Sequence, residues 1–314
     1  VADRCDQRCL HCQIWQAPAP ETGLTLAERL AVVDEALAAG VDEALLTGGE
    51  PLSSPDLWPL AARLRAGGAR TLLATNGMRL AAHADDVARL FDEVYVSLDG
   101  AGPSTHDRLR GAPAFARVAA GLAALRSRSP RPRLIARSAL HGGNLGELAA
   151  IVAAARGLGC DHVSFLPLDA STLAFGGDPD ARRGLLPSEG QVAAFEAEVA
   201  RLEARGLLDG GFVLEPAAKL RRLARHLDAS AGRLPFARPA CDAPWWSLVV
   251  EADGRVRPCF FHEAVGDARR GLRRVRESAG YREALGTIRA ANATCERCVC
   301  PKKRGAGPLA GAWA

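Results

Sequence analysis

Short apolar runs alternate with amphipathic stretches along the first half of the chain. Residues 43–47, 70–75, 93–98, 133–140 and 162–168 are short, mostly apolar runs and read as buried strands. Between them, residues 24–40, 55–66, 80–91, 114–126 and 145–157 carry apolar side chains at helical spacing. The first of these stretches has its own boundaries. Thr25 is placed as an N-cap with Glu28 three residues on, and Gly40 stops the helix. A strand-then-helix unit repeated in this way predicts a parallel sheet with right-handed crossovers. Val1-Ala2 reads as the end of one more strand, whose remainder would precede Val1, giving six β/α units. Six such units build either an open doubly wound sheet or a partial barrel. Both gather ligands at the carboxyl ends of their strands.

The second half changes texture twice. Residues 169–187 form a loop rich in Gly, Asp, Pro and Arg. Residues 188–206 predict a helix capped by Ser188, and 216–227 a basic one. From Cys241 onward the apolar runs shorten. Residues 245–251 and 255–261 read as two strands joined by Ala252-Asp253-Gly254, with helical pieces leading to Cys295. The stretch from Gly305 reads as a frayed end. The expected organisation is an α/β unit over 1–187, connecting helices over 188–240 and a small extension over 241–314. No solenoid period is present.

Composition narrows the class. The chain has 314 residues, 48% hydrophobic and 24% charged, enough for one large core and a smaller one. The net charge is +4 and the basic residues are scattered, which argues against a nucleic-acid surface. No apolar run reaches transmembrane length, so no membrane partner is expected. Nine cysteines fall into two terminal groups plus Cys160, which reads as a small buried residue. A secreted disulfide scaffold is shorter and denser in cysteine. Thiol ligation of metal in a reducing cytoplasm fits better, and no signal-peptide pattern opens the chain. A cytoplasmic protein is therefore expected.

The cysteines carry the candidate chemistry. Cys5, Cys9 and Cys12 stand at C-x3-C-x2-C. Three thiols can hold three irons of a [4Fe-4S] cubane and leave the fourth open to a small molecule. A zinc site completed by His11 is the other reading. Other polar residues fall at strand ends. Thr47-Gly48-Gly49-Glu50-Pro51 follows the second strand, where glycines admit close backbone approach and a carboxylate can meet an ammonium group. Asn76, Ser97 and Asp99 close the next two strands, Arg137 lies within the following one, and Asn144 lies just beyond it. Each of these also has a plain reading as turn chemistry, and Arg137 as half of a structural ion pair. His106-Asp107-Arg108 either reaches the mouth of the sheet or caps the next helix. Near the far end, Cys241 and Cys259 with Gly254 between them, then Cys295, Cys298 and Cys300, suit a second four-ligand site of iron–sulfur or zinc type. Arg255 and Arg257 would balance its thiolate charge.

The cysteine triplet after one strand, Gly48-Gly49-Glu50-Pro51 after the next, and then Asn76, Ser97, Arg137 and Asn144 in order resemble the radical S-adenosylmethionine (SAM) superfamily over residues 1–170. The resemblance implies a partial (β/α)6 TIM-like barrel. Cys5, Cys9 and Cys12 would hold a [4Fe-4S] cluster whose open iron binds SAM. Gly48, Gly49, Glu50 and Pro51 would face the SAM amino group. Ser97 and Arg137 would face its carboxylate or ribose and Asn144 the ribose, and Asn76 and Asp99 would also belong to the SAM site. Leu166 would line the adenine. His11 stands where an aromatic is usual and would stack near the adenine. The implied reaction is one-electron cleavage of SAM to a 5′-deoxyadenosyl radical that abstracts hydrogen from a substrate carbon. An electron donor such as flavodoxin or ferredoxin is implied as well.

The second cysteine group resembles the SPASM/Twitch extensions of that superfamily. With five cysteines it looks like the shorter Twitch form, with one auxiliary [4Fe-4S] cluster on Cys241, Cys259, Cys295 and Cys298. Cys300 would be idle, an alternate ligand or a hydrogen donor. The favoured substrate is a small sugar or cyclitol undergoing dehydrogenation or epimerisation. Maturation of a ribosomal peptide by thioether or carbon–carbon bond formation is the alternative. A non-catalytic zinc or iron–sulfur protein is the contrasting class.

Overall fold

The computed structural model describes residues 1–16, 23–128 and 132–302. Five parallel strands, β1 (Glu43–Leu46), β2 (Arg70–Thr75), β3 (Glu93–Ser97), β4 (Arg133–Leu140) and β5 (His162–Pro167), lie side by side in chain order. An order that never reverses is barrel winding, without the switch point of a doubly wound sheet. Ala2 bridges Gly48 in parallel, so the short strand end expected at Val1-Ala2 is a single bridge beside β1. Register then decides which residues share the rim. Ser97 lies opposite Arg137, and Ala139 opposite Leu166.

Helices α1 (Leu26–Ala38), α2 (Leu57–Ala66), α3 (Ala84–Leu90), α4 (Pro103–Arg110), α5 (Phe115–Arg128) and α6 (Leu148–Gly157) cross between the strands. The capping box expected at Thr25 is formed: its hydroxyl accepts from Glu28 N, and the Glu28 carboxylate accepts from Thr25 N. The stretch at 80–91 is a 3-10 turn over Leu80–His83 followed by α3, rather than one helix. Helix α4 was not foreseen. It is too polar to show an apolar period, but Pro103 opens it and Gly111, at φ +65°, ends it. His106, Asp107 and Arg108 lie inside it. Asp107 caps α5, accepting from Ala114 N at 2.9 Å and Phe115 N at 2.7 Å.

Val94, Val96, Leu134, Ala136, Val163 and Phe165 of the strands pack with Val87, Val118, Leu122 and Ile151 of the helices in one core. Helices α7 (Glu189–Ala204) and α8 (Ala217–Ser230) add Phe195, Val199, Leu220 and Leu223 to that same core. The stretch read as a connector therefore packs on the barrel flank. Cys160 is buried in this core, as expected.

The extension opens on α9 (Ala243–Trp246), which corrects the strand expected at 245–251. Pro244, the second residue of this turn, presets its backbone, and Asp242 accepts from Trp246 Nε1 at 2.7 Å. A small antiparallel sheet follows, β6 (Val249–Val250), β7 (Arg255–Arg257) and β8 (Gly266–Asp267). β7 is shorter than the expected 255–261, and β8 was not foreseen. Helices α10 (Leu272–Arg276), α11 (Ala279–Arg289) and α12 (Ala293–Glu296) complete the described part. The frayed end expected from Gly305 lies outside the described residues. Val256, Ala268, Leu272, Val275 and Tyr281 form a second core, and Val32 and Ala36 of α1 pack against it. Glu35 accepts from Leu272 N at 2.5 Å, and Arg269 pairs with Glu28 at 3.0 Å.

Asp107→Ala leaves two backbone N–H groups of α5 without an acceptor. We expect a loss of about 1–2 kcal/mol, read as a lower urea midpoint at unchanged slope. An unchanged midpoint would show that the cap contributes nothing.

Candidate active site

The N-terminal loop lies on the rim at β1. Gly49 N donates to Ala2 O and Glu50 N to Arg4 O, each at 2.7 Å. A Cβ on Gly48 would lie 2.1 Å from Ala2 O, and one on Gly49 2.0 Å from Arg4 O. The two glycines therefore admit the backbone that leads into Cys5. On the opposite side, Leu10 N donates to Leu109 O at 3.0 Å, and a Cβ on Gly111 would lie 2.4 Å from Arg8 O.

Glu50 is fully buried and works through Asn76. Its carboxylate accepts from Leu52 N at 3.0 Å, Thr75 Oγ1 at 2.7 Å and Asn76 N at 2.7 Å. Burial outweighs these donors and pushes Glu50 up to about 7. Asn76 Nδ2 in turn donates to Asp6 at 2.7 Å and lies 3.9 Å from Cys5 Sγ. Pro51 opens the 3-10 turn Pro51–Ser53 that delivers Leu52 N.

Asp99, also fully buried, anchors the far wall. Arg110 Nη2 lies 2.6 Å from its carboxylate, Ala139 N donates to it at 2.8 Å, and His11 Nε2 is 3.7 Å away. Burial alone would raise Asp99; the Arg110 guanidinium outweighs it and holds the group below the ordinary carboxylate value. Arg110 Nη1 also lies 3.7 Å from Cys9 Sγ. His11 is driven down to about 4 by burial, so it is neutral here, and its ring lies 5.7 Å from that of His141. Burial raises all three thiols, Cys5 to about 11. Thiolates in this loop therefore need cationic compensation. Iron provides it, and the N–H donors of Asn76 and Arg110 already stand beside two of the sulfurs. The loop fits an iron–sulfur cluster. Among the described residues, no three His, Cys, Asp or Glu side chains gather around one point as a single ion requires.

The remaining rim residues divide. Ser97 and Leu166 are half-buried at the strand ends. Arg137 meets no carboxylate among the described residues; its guanidinium lies 4.2 Å over the Tyr95 ring and its Nε is buried without a partner. Asn144 is engaged with backbone, donating to Asp99 O and Ala139 O and accepting from His141 N. Arg110 and His141 were missed from sequence. Both sit next to sites that were found, but neither lies in a strand-end motif.

A second site lies in the extension. Cys241, Cys259, Cys295 and Cys298 line one cavity of about 400 Å³ together with Phe261 and His262. Cys300 is not among its lining residues. Burial raises Cys259 to about 11 and Cys298 to about 12. Four thiols on one cavity fit a fully ligated cluster. Arg255 pairs with Asp253 at 2.6 Å and Arg257 with Glu251 at 2.9 Å, so both meet carboxylates.

Glu50 gives a pH signature. A carboxyl whose folded value lies above its unfolded one destabilises the fold as pH rises between the two. In SAM-free protein, stability should fall from pH about 4.5 to about 7, and Glu50→Gln should flatten that part of the profile. Identical profiles by thermal melting would overturn the assignment.

A sequence profile of the radical SAM superfamily matches residues 1–155, and one of the SPASM iron–sulfur cluster-binding domain matches residues 241–299. GTP 3′,8-cyclase 1 of Pseudomonas aeruginosa is 30% identical over 286 residues, 87% of this chain and 82% of that protein. PqqA peptide cyclase of Ruegeria pomeroyi is 32% identical over 240 residues, 74% of this chain and 58% of that protein. AdoMet-dependent heme synthase of Methanosarcina barkeri is 37% identical over 126 residues, 39% and 36% of the two chains. The chain thus spans little more than a third of the heme synthase and under two thirds of the peptide cyclase. The fold is that of anSMEcpe with bound AdoMet and Cp18Cys peptide (TM-score 0.69, 15% identity, covering 95% of this chain and 83% of that one). It is also that of Streptococcus suis SuiB bound to precursor peptide SuiA (0.68, 14%, 95% and 69%). With its cluster loop on the barrel rim and its cysteine-lined cavity in the extension, the chain belongs to the radical SAM superfamily and carries a SPASM-type auxiliary iron–sulfur domain.

Proposed function

We propose that this radical SAM enzyme forms a bond at a carbon of a peptide substrate, and that the auxiliary cluster takes up the electron left over. The observation that supports this is the cavity lined by four cysteines. Four protein thiols complete the ligation of a cubane, so no iron there is open to a substrate, and electron transfer is the role that remains. The substrate class is supported by the relatives, which include two PqqA peptide cyclases. The sugar or cyclitol reading finds no support among the relatives named here, which are peptide cyclases, GTP cyclases and a heme synthase. A cleft of about 370 Å³, lined by Asp178, Asp180, Arg183 and Arg297, opens beside the Cys295–Cys298 segment. Its mixed charges suit a peptide segment.

When bound to the Cys5–Cys12 loop, the cluster and SAM supply hydrogen abstraction. The chain's own residues orient and shield that chemistry. Asn76 and Arg110 stand beside two sulfurs. Glu50, ionised above pH about 7, is fully buried and holds Asn76 beside Cys5. Arg137, with its unpartnered Nε, is the cation available to a carboxylate. Overall, a C–H and an X–H bond of the substrate are exchanged for a C–X bond. With the cluster and SAM bound, one hydrogen would leave as an atom and the other as a proton, and the auxiliary site would take up the remaining electron. A flavodoxin- or ferredoxin-type donor would supply the electron that cleaves SAM.

After anaerobic reconstitution, a short peptide encoded beside this gene should stimulate 5′-deoxyadenosine formation and become lighter by two hydrogen atoms in mass spectrometry. Consumption of GTP or a tetrapyrrole instead would overturn the peptide reading. Cys300→Ala should leave product formation intact. Product loss with SAM cleavage retained would identify Cys300 as a hydrogen donor and favour epimerisation.

A further inference from the structure

The loop after β5 is built more tightly than a connector needs. Asp169 accepts from Ser171 N, Ser171 Oγ and Thr172 N at 2.9–3.1 Å, and from the Thr172 hydroxyl. Arg182 is fully buried beneath the loop and donates to Gly176 O at 3.1 Å and to Thr172 O. The crest held in this way rests on the N-terminal cluster loop. Phe175 O accepts from Gln13 N at 2.7 Å and lies 3.7 Å from Cys12 Sγ. Gly176, at φ +72°, lets the two backbones pass, and Gly177, at φ +59°, leaves room for the Gln13 side chain. A Cβ on Gly176 would lie 2.8 Å from Gln13 C, and one on Gly177 1.7 Å from Gln13 Oε1.

The ring of Phe175 points the other way. It meets Phe260 at 5.7 Å and Phe261 at 6.4 Å, and those two rings meet each other at 5.5 Å. Phe260 and Phe261 directly follow Cys259, and Phe261 lines the auxiliary cavity. The Phe175–Phe260 and Phe260–Phe261 contacts are edge-to-face, a favoured geometry for aromatic pairs. One residue thus touches Cys12 through its carbonyl and the auxiliary hairpin through its ring.

We propose that Phe175 is a positioning residue that transmits the seating of the auxiliary domain to Cys12, with Gly176, Gly177 and Arg182 holding it in place. The auxiliary domain then has a second role besides electron transfer: it sets the geometry of the SAM-binding loop. This needs no substrate and is independent of the peptide reading.

The test uses anaerobically reconstituted holoprotein carrying Phe175→Ala, Phe260→Ala or Phe175→Leu. Iron content and the auxiliary-cluster EPR signal should match the wild type. In Phe175→Ala, hydrogen exchange of the peptide containing Gln13 should quicken about tenfold. The SAM concentration that shifts the EPR signal of the other cluster should rise by about tenfold. Phe260→Ala, which removes a ring that does not touch Cys12, should move both readouts in the same direction by less. Phe175→Leu should restore most of each. Wild-type exchange and SAM response in both alanine variants would overturn the proposal, as would changes confined to the auxiliary cluster.

Discussion

The passage of the first five residues over Gly48 and Gly49 is the constraint on which the site depends. Two backbone hydrogen bonds at 2.7 Å fix Ala2 and Arg4 to the end of β1, and no side chain fits between them. With the entry fixed, Asn76 reaches Cys5 from β2 and Arg110 reaches Cys9 from α4. A third strand end bears on Cys12 through Phe175. The loop has little regular structure of its own. Its shape is imposed by the elements around it, which is how a barrel rim positions chemistry on irregular backbone.

Electrostatics follow from that placement. Glu50 and Asp99 are both fully buried, yet they shift in opposite directions. Glu50 faces only neutral donors, so desolvation prevails. Asp99 faces Arg110, so ionisation prevails. One wall of the site therefore holds a carboxyl that changes charge near neutral pH, and the other a fixed ion pair. The glycine motif clears space for the chain's own backbone at Ala2 and Arg4.

Much of this was legible in the sequence. The strands were legible because each is an apolar run too short for a helix, and α1 because Thr25 and Glu28 mark its start. The cysteines were legible as two groups from their spacing, which left iron–sulfur and zinc both open. Helix α4 was not, because Pro103–Arg110 is almost wholly polar and its role is to carry Asp107 and Arg110 rather than to fill a core. The turn at Ala243–Trp246 was misread because paired tryptophans favour strands, while Pro244 acts locally. Residues 169–187 looked like a plain loop. Their organisation rests on Arg182 reaching back to two carbonyls, a contact that no periodicity reveals.

Helix α1 carries one further consequence. Leu30, Val33 and Leu37 face the main core, while Val32 and Ala36 face the core of the extension. It is apolar on two sides. A helix of this kind leaves a water-exposed greasy stripe if either neighbour is taken away, so the barrel and the extension are not interchangeable modules. Without the extension, Val32 and Ala36 would face water. The presence of the second domain is thus written into the first helix of the chain, more than two hundred residues before Cys241.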